Sequence, residues 1–359
     1  MNLLLKRDAR AEAQAGFIVL EGLKKPWVKR FMVYGGRTIP VAATSLDKSD
    51  RLGGLKARWG VGRMRYSVLP GIYAVGNPTK DSPVFVSANY KLSFDALRSN
   101  LAGLDGWILV LDTKGINVWC AAGKGSFGTA ELVSRIAKVK LADLVSHRGL
   151  ILPQLGAPGV SAPEVLKKSG FLVEWGPVRA ADIAAWLTAG RVKNAAMSEV
   201  TFNLWDRMAV APVEIVHSWP IIPAALALAA VFALPARGWL ARAIPAAILL
   251  LGGIPMGTVI FPALLPWLPS RAFVVKGAAL GAAWALSCAL LFHMPALAAV
   301  GGILVATPVV AFLAMNFTGA STYTCQPGAL LEVDRSFWPM VSSLALGLMA
   351  AGASRLFGL

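Results

Sequence analysis

Between Gly277 and Leu331 the chain carries no Asp, Glu, Lys or Arg. So long an uncharged run does not suit a water-facing surface. It is also too long for one membrane helix, which needs about 20 residues to cross a hydrocarbon core of roughly 30 Å. It divides naturally at His293-Met294-Pro295. Three further apolar stretches accompany it: Trp219 to Ala236, Ala243 to Trp267 with Pro245, Pro255 and Pro262 inside, and Phe337 to Ser354. Prolines are tolerated in such segments when neighbouring helices repair the lost backbone bonds. The pattern predicts an all-α transmembrane domain of about five helices over residues 219–359. No ionisable Asp, Glu, Lys or Arg falls within these stretches, which argues against a pump or secondary transporter. His293 is expected at a helix turn.

The charge lies upstream. Of the 35 Lys and Arg, 29 precede Trp219, as do 17 of the 19 Asp and Glu. The first 218 residues are enough for a core of their own. The formal net charge of +16 raises the question of nucleic acid. Basic residues interleaved with aromatics, zinc spacings and recognition-helix patterns are all absent, so no nucleic-acid partner is expected. A basic domain held against an anionic leaflet accounts better for the charge. The three cysteines, Cys120, Cys288 and Cys325, form no CxxC pair. That excludes a disulfide framework, a four-cysteine zinc site and an in-chain iron-sulfur cluster. The N-terminus, MNLLLKRDARAEAQ, has charges where a signal peptide needs an apolar core. The expectation is therefore a multi-pass protein of the cytoplasmic membrane with its large domain facing the cytoplasm.

Within that domain apolar runs alternate with helical patterns. Strands are expected at 71–75, 83–87, 107–111, 150–152 and 171–175, and helices at 93–101, 129–139, 162–168 and 180–189. The alternation predicts an α/β, Rossmann-like domain over 66–197 with a mostly parallel sheet, whose ligands bind beyond the carboxyl ends of the strands. Residues 1–65 read as an N-terminal extension. Residues 198–218 read as an interfacial connector, with Trp205, Arg207 and Trp219 suited to a membrane surface.

The chemistry concentrates in Asn117-Val-Trp-Cys-Ala-Ala-Gly-Lys-Gly-Ser-Phe-Gly128. Gly123, Gly125 and Gly128 match GxGxxG, and Asp143 lies twenty residues past Gly123. Two features count against a dinucleotide loop: Trp119 to Ala122 separate the apolar run from the first glycine, and Asp143 sits beyond a helix. A phosphate loop of the Walker type fails because Gly125 follows Lys124. Cys120 reads either as a small buried hydrophobe or as a soft metal ligand in the locally positive field of Lys124 and a glycine-rich helix start. His147 and His217 lack metal-ligand spacing and receive no role.

Asn117-Val-Trp-Cys-Ala-Ala-Gly-Lys124 resembles the cap-helix signature of the HgcA family, the membrane-anchored corrinoid proteins of microbial mercury methylation. The likeness extends through Pro70 to Gly76, Ala88-Asn-Tyr-Lys91, Gln154 to Gly159, Gly176-Pro-Val-Arg179 and Met315 to Thr322. The resemblance implies a corrinoid-binding domain related to that of the corrinoid iron-sulfur protein large subunit, holding cobalamin with Cys120 as lower axial cobalt ligand. Asn117, Val118, Trp119, Ala121, Ala122, Gly123 and Lys124 would form the cap, and Asn89, Gln154, Gly156 and Pro177 would add cofactor contacts. It implies a corrinoid-dependent methyltransferase passing a methyl group from cobalt to Hg(II), with the thiolate pushing electron density toward the methyl. It further implies a dicluster ferredoxin-like reductant of the HgcB type and a methyl-folate-linked donor system. Cys325 stands where that family would carry serine. Two other readings stay open: the same corrinoid chemistry with another methyl acceptor, or a nucleotide-binding membrane transport or assembly protein using Gly123 to Gly128.

Overall fold

The computed structural model describes residues 22–233, 239–324 and 326–357. Cys325 and the first 21 residues lie outside them. The chain forms two compact units, one of residues 1–57 and 61–200, the other of 58–60 and 201–359.

The first unit is a layered α/β structure around one seven-stranded sheet. Its elements are β1 (Val28–Tyr34), β2 (Arg37–Ala42), α1 (Lys48–Arg58), β3 (Gly71–Val75), β4 (Val84–Ala88), α2 (Lys91–Ser99), β5 (Gly106–Leu111) and α3 (Val118–Gly123). There follow α4 (Thr129–Lys138), β6 (Gly149–Leu152), α5 (Ala162–Ser169), β7 (Leu172–Trp175), α6 (Ile183–Thr188) and the short α7 (Ala195–Ser198). The strand order is β1-β2-β3-β5-β4-β6-β7.

The sheet is mostly parallel, as expected, with four of its six strand pairs parallel and two antiparallel. The pairs β2/β3, β4/β5, β4/β6 and β6/β7 are parallel, but β1/β2 and β3/β5 are antiparallel. The reversal at β3 follows from its connection. Only residues 76–83 separate β3 from β4, and a parallel crossover needs a dozen or more residues. The boundary expected at residue 65 is absent from the fold, because β1 and β2 extend the sheet and α1 belongs to the same layers. Residues 1–65 carry too little hydrophobic alternation to reveal this: β1 is an edge strand with a mostly exposed pattern.

β5 shows how the sequence builds the core. All six of its residues are buried, and alternate side chains enter opposite faces. Trp107, Leu109 and Leu111 join one apolar cluster with Val118, Ala121, Ala122 and Phe127. Ile108 and Val110 join the other with Tyr73, Phe94, Leu97 and Trp186. Under the second layer lies a buried charge quartet. Asp50 accepts from Lys91 Nζ at 2.7 Å and Arg98 Nη2 at 2.6 Å, and Asp95 accepts from Lys91 Nζ at 2.6 Å and Arg98 Nε at 2.7 Å. Arg98 also donates to the carbonyls of Ala43 and Ser45, tying the segment after β2 to α2. Burial opposes ionisation of Asp50, but the hydrogen bonds from Lys91 and Arg98 outweigh it and hold the carboxyl below its ordinary value. Burial, reinforced by the Asp95 and Asp50 carboxylates, pushes the neighbouring Tyr66 phenol up to about 12.

The second unit is helical, with α8 (Leu204–Met208), α9 (Ala211–His217), α10 (Ile221–Ala233), α11 (Trp239–Pro255), α12 (Phe261–Leu264), α13 (Phe273–Leu291), α14 (Ala296–Asn316) and α15 (Gln326–Phe357). Among the described residues, four helical stretches are long and apolar enough to cross a membrane: Ala243–Leu264, Phe273–Leu291, Ala296–Gly319 and Pro327–Phe357. The first expected span fits that test only jointly, as Leu204–His217 and Ile221–Val231 bent by 56°. A fifth is counted only if that bent pair is one span. Ala243–Leu264 is continuous through its prolines because a π-helical turn, Met256–Ile260, joins α11 to α12. The last helix starts well before Phe337 and includes Glu332, Asp334 and Arg335, charges at which the sequence pattern had broken it. Residues 204–217 form helices of this unit. Arg207, expected at a membrane surface, is instead buried, donating to the carbonyls of Phe202, Pro262 and Ala263. Trp205 and Trp219 are exposed. His293 sits between α13 and α14 with φ 48°.

Candidate functional site: a displayed cysteine at the carboxyl edge of the sheet

The loop after β5 is organised by one amide. Asn89, just past β4, is buried, and its Oδ1 accepts from Thr113 N at 3.1 Å and Gly115 N at 2.9 Å, with Thr113 Oγ1 at 2.8 Å. Asp112 N donates to Glu131 Oε1 at 2.9 Å, which fastens the same loop to α4. The Lys114 ammonium, bonded to Asp112 at 2.7 Å, holds that carboxyl below its ordinary value. Asn89 therefore braces the loop that leads to Cys120.

α3 begins where Asn117 caps it, its Oδ1 accepting from Cys120 N at 2.8 Å. Val118, Ala121 and Ala122 turn inward and are buried, whereas Trp119 and Cys120 are half-buried and Gly123 and Lys124 are exposed. The short helix thus presents the Cys120 side chain away from the apolar core. The segment 154–159 packs directly behind it. A Cβ on Gly159 would collide with the Phe127 carbonyl oxygen and stand 2.9 Å from Ala122 Cα, and one on Gly156 would stand 2.5 Å from the Phe127 ring. Only glycine lets the two segments approach so closely. Gln154 is occupied elsewhere: its Oε1 accepts from Lys193 Nζ at 2.6 Å and its Nε2 donates to Ser198 O at 3.1 Å.

Beside α3 lies a cavity of about 300 Å³ at the carboxyl ends of β4, β6 and β7. Its walls include Ser87, Asn117, Val118, Trp119, Leu152, Pro153, Leu155, Pro177 and Ile183. Of the residues expected at the site, Asn117, Val118, Trp119 and Pro177 line this cavity. Cys120 lies one residue beyond the lining, and Asn89, Gln154 and Gly156 support the segments around it. Sequence reasoning missed Thr113, Lys193 and the charge quartet. Thr113 and Lys193 act through partners 24 and 39 positions away, a separation that leaves no local signal.

The dinucleotide geometry does not form. β5 ends at Leu111, and Gly123 is the last residue of α3, with Gly125 at φ 80° in the turn and Gly128 capping α4. The glycines follow a helix, so no strand runs directly into them. Asp143 lies in a 3₁₀ turn and pairs with Arg37 at 3.1 Å. Among the described residues, no three His, Cys, Asp or Glu side chains gather as a metal site.

Fold and site together define an α/β layer unit with a cavity at the carboxyl edge of its parallel strands and a half-buried cysteine beside it. Residues 61–187 match the family described as CO dehydrogenase/acetyl-CoA synthase delta subunit. The chain is also similar to the acetyl-CoA decarbonylase/synthase complex subunit gamma of Archaeoglobus fulgidus, 34% identical over 127 residues, which are 35% of this chain and 27% of that protein. The corresponding subunit of Methanosarcina acetivorans is 32% identical over 129 residues, 35% of this chain and 27% of its own. That of Methanocaldococcus jannaschii is 35% identical over 97 residues, 26% and 20% of the two chains. The chain spans about a quarter of the length of the first two of these curated relatives. The matched stretch contains β3 to β7, α3 and the cavity.

Proposed function

We propose that this chain is a membrane-anchored corrinoid methyltransferase that delivers a methyl group to Hg(II), with Cys120 as the protein's ligand to cobalt. The observation that carries the reading is the placement of Cys120: half-buried on a capped helix, beside a cavity at the carboxyl edge of the sheet, inside residues 61–187 that match the family described as CO dehydrogenase/acetyl-CoA synthase delta subunit.

The donor set suits such a cofactor. A corrinoid would leave the protein to offer its cobalt one soft donor, and the Cys120 thiol on its capped helix would meet that need. Beyond their own chain neighbours and helix backbone, Gly123 and Gly125 have nothing within 4 Å of where a Cβ would stand, so the end of α3 after Cys120 is open. The cavity is too small for a whole cobalamin and would take one appended portion of it. Bound cobalamin would supply the methyl group and the metal that carries it. The protein's part is to hold and tune. Asn117 fixes the first turn of α3, Val118, Ala121 and Ala122 anchor it in the core, and Asn89 holds the preceding loop. As a thiolate, Cys120 would hold the cobalt, and its electron donation would favour methyl transfer to an electrophilic, thiophilic Hg(II). The four long apolar helices would anchor this unit at the cytoplasmic membrane. Renewed cycles call for an external low-potential reductant, a dicluster ferredoxin-like partner, and a methyl-folate-linked donor system.

Absorption spectroscopy of the anaerobically purified full chain tests the reading. A bound corrinoid at about one per chain is expected. Retention of NAD or ATP in its place would favour a nucleotide-binding membrane protein, and a bound corrinoid with no methylmercury formed from Hg(II) would favour another methyl acceptor.

A further inference from the structure

α1 has two opposed faces. Asp50, Gly54 and Ala57, spaced by four and three residues, are its buried positions. The helical period puts Leu52 and Leu55 on the opposite side, with Trp59 the next residue in sequence at that spacing. Leu52 is 52% exposed, Leu55 54% and Trp59 42%. Beyond the helix, Val61 and Met64 are 62% and 75% exposed. Large apolar side chains in water at this density call for a partner.

Their neighbours are cations. Between Asp47 and Leu69 the chain has six cations, Lys48, Arg51, Lys56, Arg58, Arg63 and Arg65, against two acids, Asp47 at the surface and Asp50. Asp50 is buried in the quartet with Lys91 and Arg98, so it offers these cations no counter-charge at the surface. Leucine, tryptophan and methionine set among Lys and Arg that outnumber the acids form the pattern of a helix lying in a lipid headgroup region. A protein partner would need complementary acids and shape, whereas an anionic bilayer needs only this charge and these apolar tips.

We infer that the outer face of α1 and the turn after it, Lys48 to Arg65, rests on an anionic lipid surface, with Leu52, Leu55 and Met64 inserted among the headgroups. This rests on the reading that the chain is membrane-anchored, since the same chain carries four helices long and apolar enough to cross a bilayer.

The test uses the full chain in lipid nanodiscs, with a benzophenone amino acid placed singly at Leu55, at Met64 and, as a control, at the exposed Leu166 of α5. Illumination followed by mass spectrometry identifies what each position touches. In discs containing phosphatidylglycerol, lipid adducts are expected at 55 and 64 and not at 166. The combined variant Arg51→Gln, Lys56→Gln, Arg65→Gln should lower the adduct yield by at least about tenfold, as should pure phosphatidylcholine. No lipid adduct at 55 and 64, adducts to protein alone, equal labelling at 166, or a yield indifferent to lipid charge would each overturn the proposal. Alkaline carbonate extraction separates the two levels. A chain released from membranes fails the anchor reading and this proposal with it, whereas a retained chain without lipid adducts overturns this proposal alone.

Discussion

Cys288, in α13, is 2% exposed and packs with Leu249, Ala285 and Ala306, while Cys120, in the α/β unit, is only half-buried on a short capped helix. The side chain is the same, and the surroundings assign it opposite work. In the helical unit sulphur fills space among small apolar residues, where it behaves as one more hydrophobe. In the α/β unit the neighbouring residues are arranged so that the core takes Val118, Ala121 and Ala122 and leaves the thiol outside it. A cysteine becomes a candidate ligand when the backbone around it is fixed and its sulphur is not needed for packing.

The largest expected effect breaks that symmetry directly. Cys120→Ala should abolish methylmercury formation in anaerobic cells, with the protein still recovered in the membrane fraction, whereas Cys288→Ala should leave the activity in place. Activity of Cys120→Ala at the wild-type level would remove the distinction between the two cysteines.

Next comes the scaffold that holds the displayed residue. Asp50→Asn should destabilise the α/β unit by about 3–5 kcal/mol, because it leaves the Lys91 and Arg98 cations sharing one buried carboxylate. The pH dependence has a definite sign. The folded-state value of Asp50 lies below its unfolded value, so its contribution is full above the ordinary carboxylate range and is lost as pH falls through the folded value. Denaturation followed by circular dichroism between pH 7 and pH 3 should show a steeper acid loss in wild type than in Asp50→Asn.

Gly159→Ala is a smaller change aimed at the site itself. The added methyl meets Phe127 O and Ala122 Cα, and overpacking of this kind costs about 1–3 kcal/mol. It should displace α3 and lower cobalamin retention, read as cofactor per chain after gel filtration. Gly149→Ala, whose added methyl would meet only His147 Nδ1 at an ordinary contact distance of 3.8 Å, should not. The smallest effect belongs to Cys288→Ala, a loss of one buried sulphur worth about 1 kcal/mol in the helical unit, measured as a modest fall in thermal stability in detergent.

Much of the α/β unit was legible from the chain. The strands at 71–75 and 107–111 and the helices at 129–139 and 162–168 are long or regular enough for their periodicity to declare them, and they form within a residue or two of the expected ends. β1 and β2 were not legible, because an edge hairpin with a half-exposed pattern resembles a loop in sequence. The site divides in the same way. Asn117 to Lys124 declares itself as a local motif, and the structure sets it at the carboxyl edge of the sheet. The supporting partners do not declare themselves: Asn89 reaches Thr113 and Gly115, Gln154 reaches Lys193, and Asp50 reaches Lys91 across 41 positions. Hydrogen bonds between distant segments are products of the fold and carry no pattern in the chain. The same holds for Arg207, whose basic character suggested a surface until the carbonyls of Pro262 and Ala263 gave it a buried role.

The central claim is that Cys120 donates sulphur to cobalt. The direct measurement is the visible absorption and electron paramagnetic resonance of cobalamin bound to the full chain, compared among wild type, Cys120→Ala and Cys120→His at equal cofactor loading. The account predicts three different spectra: sulphur ligation in wild type, a nitrogen-ligated form in Cys120→His, and neither in Cys120→Ala. Identical spectra from wild type and Cys120→Ala, with cobalamin bound to both, would contradict it.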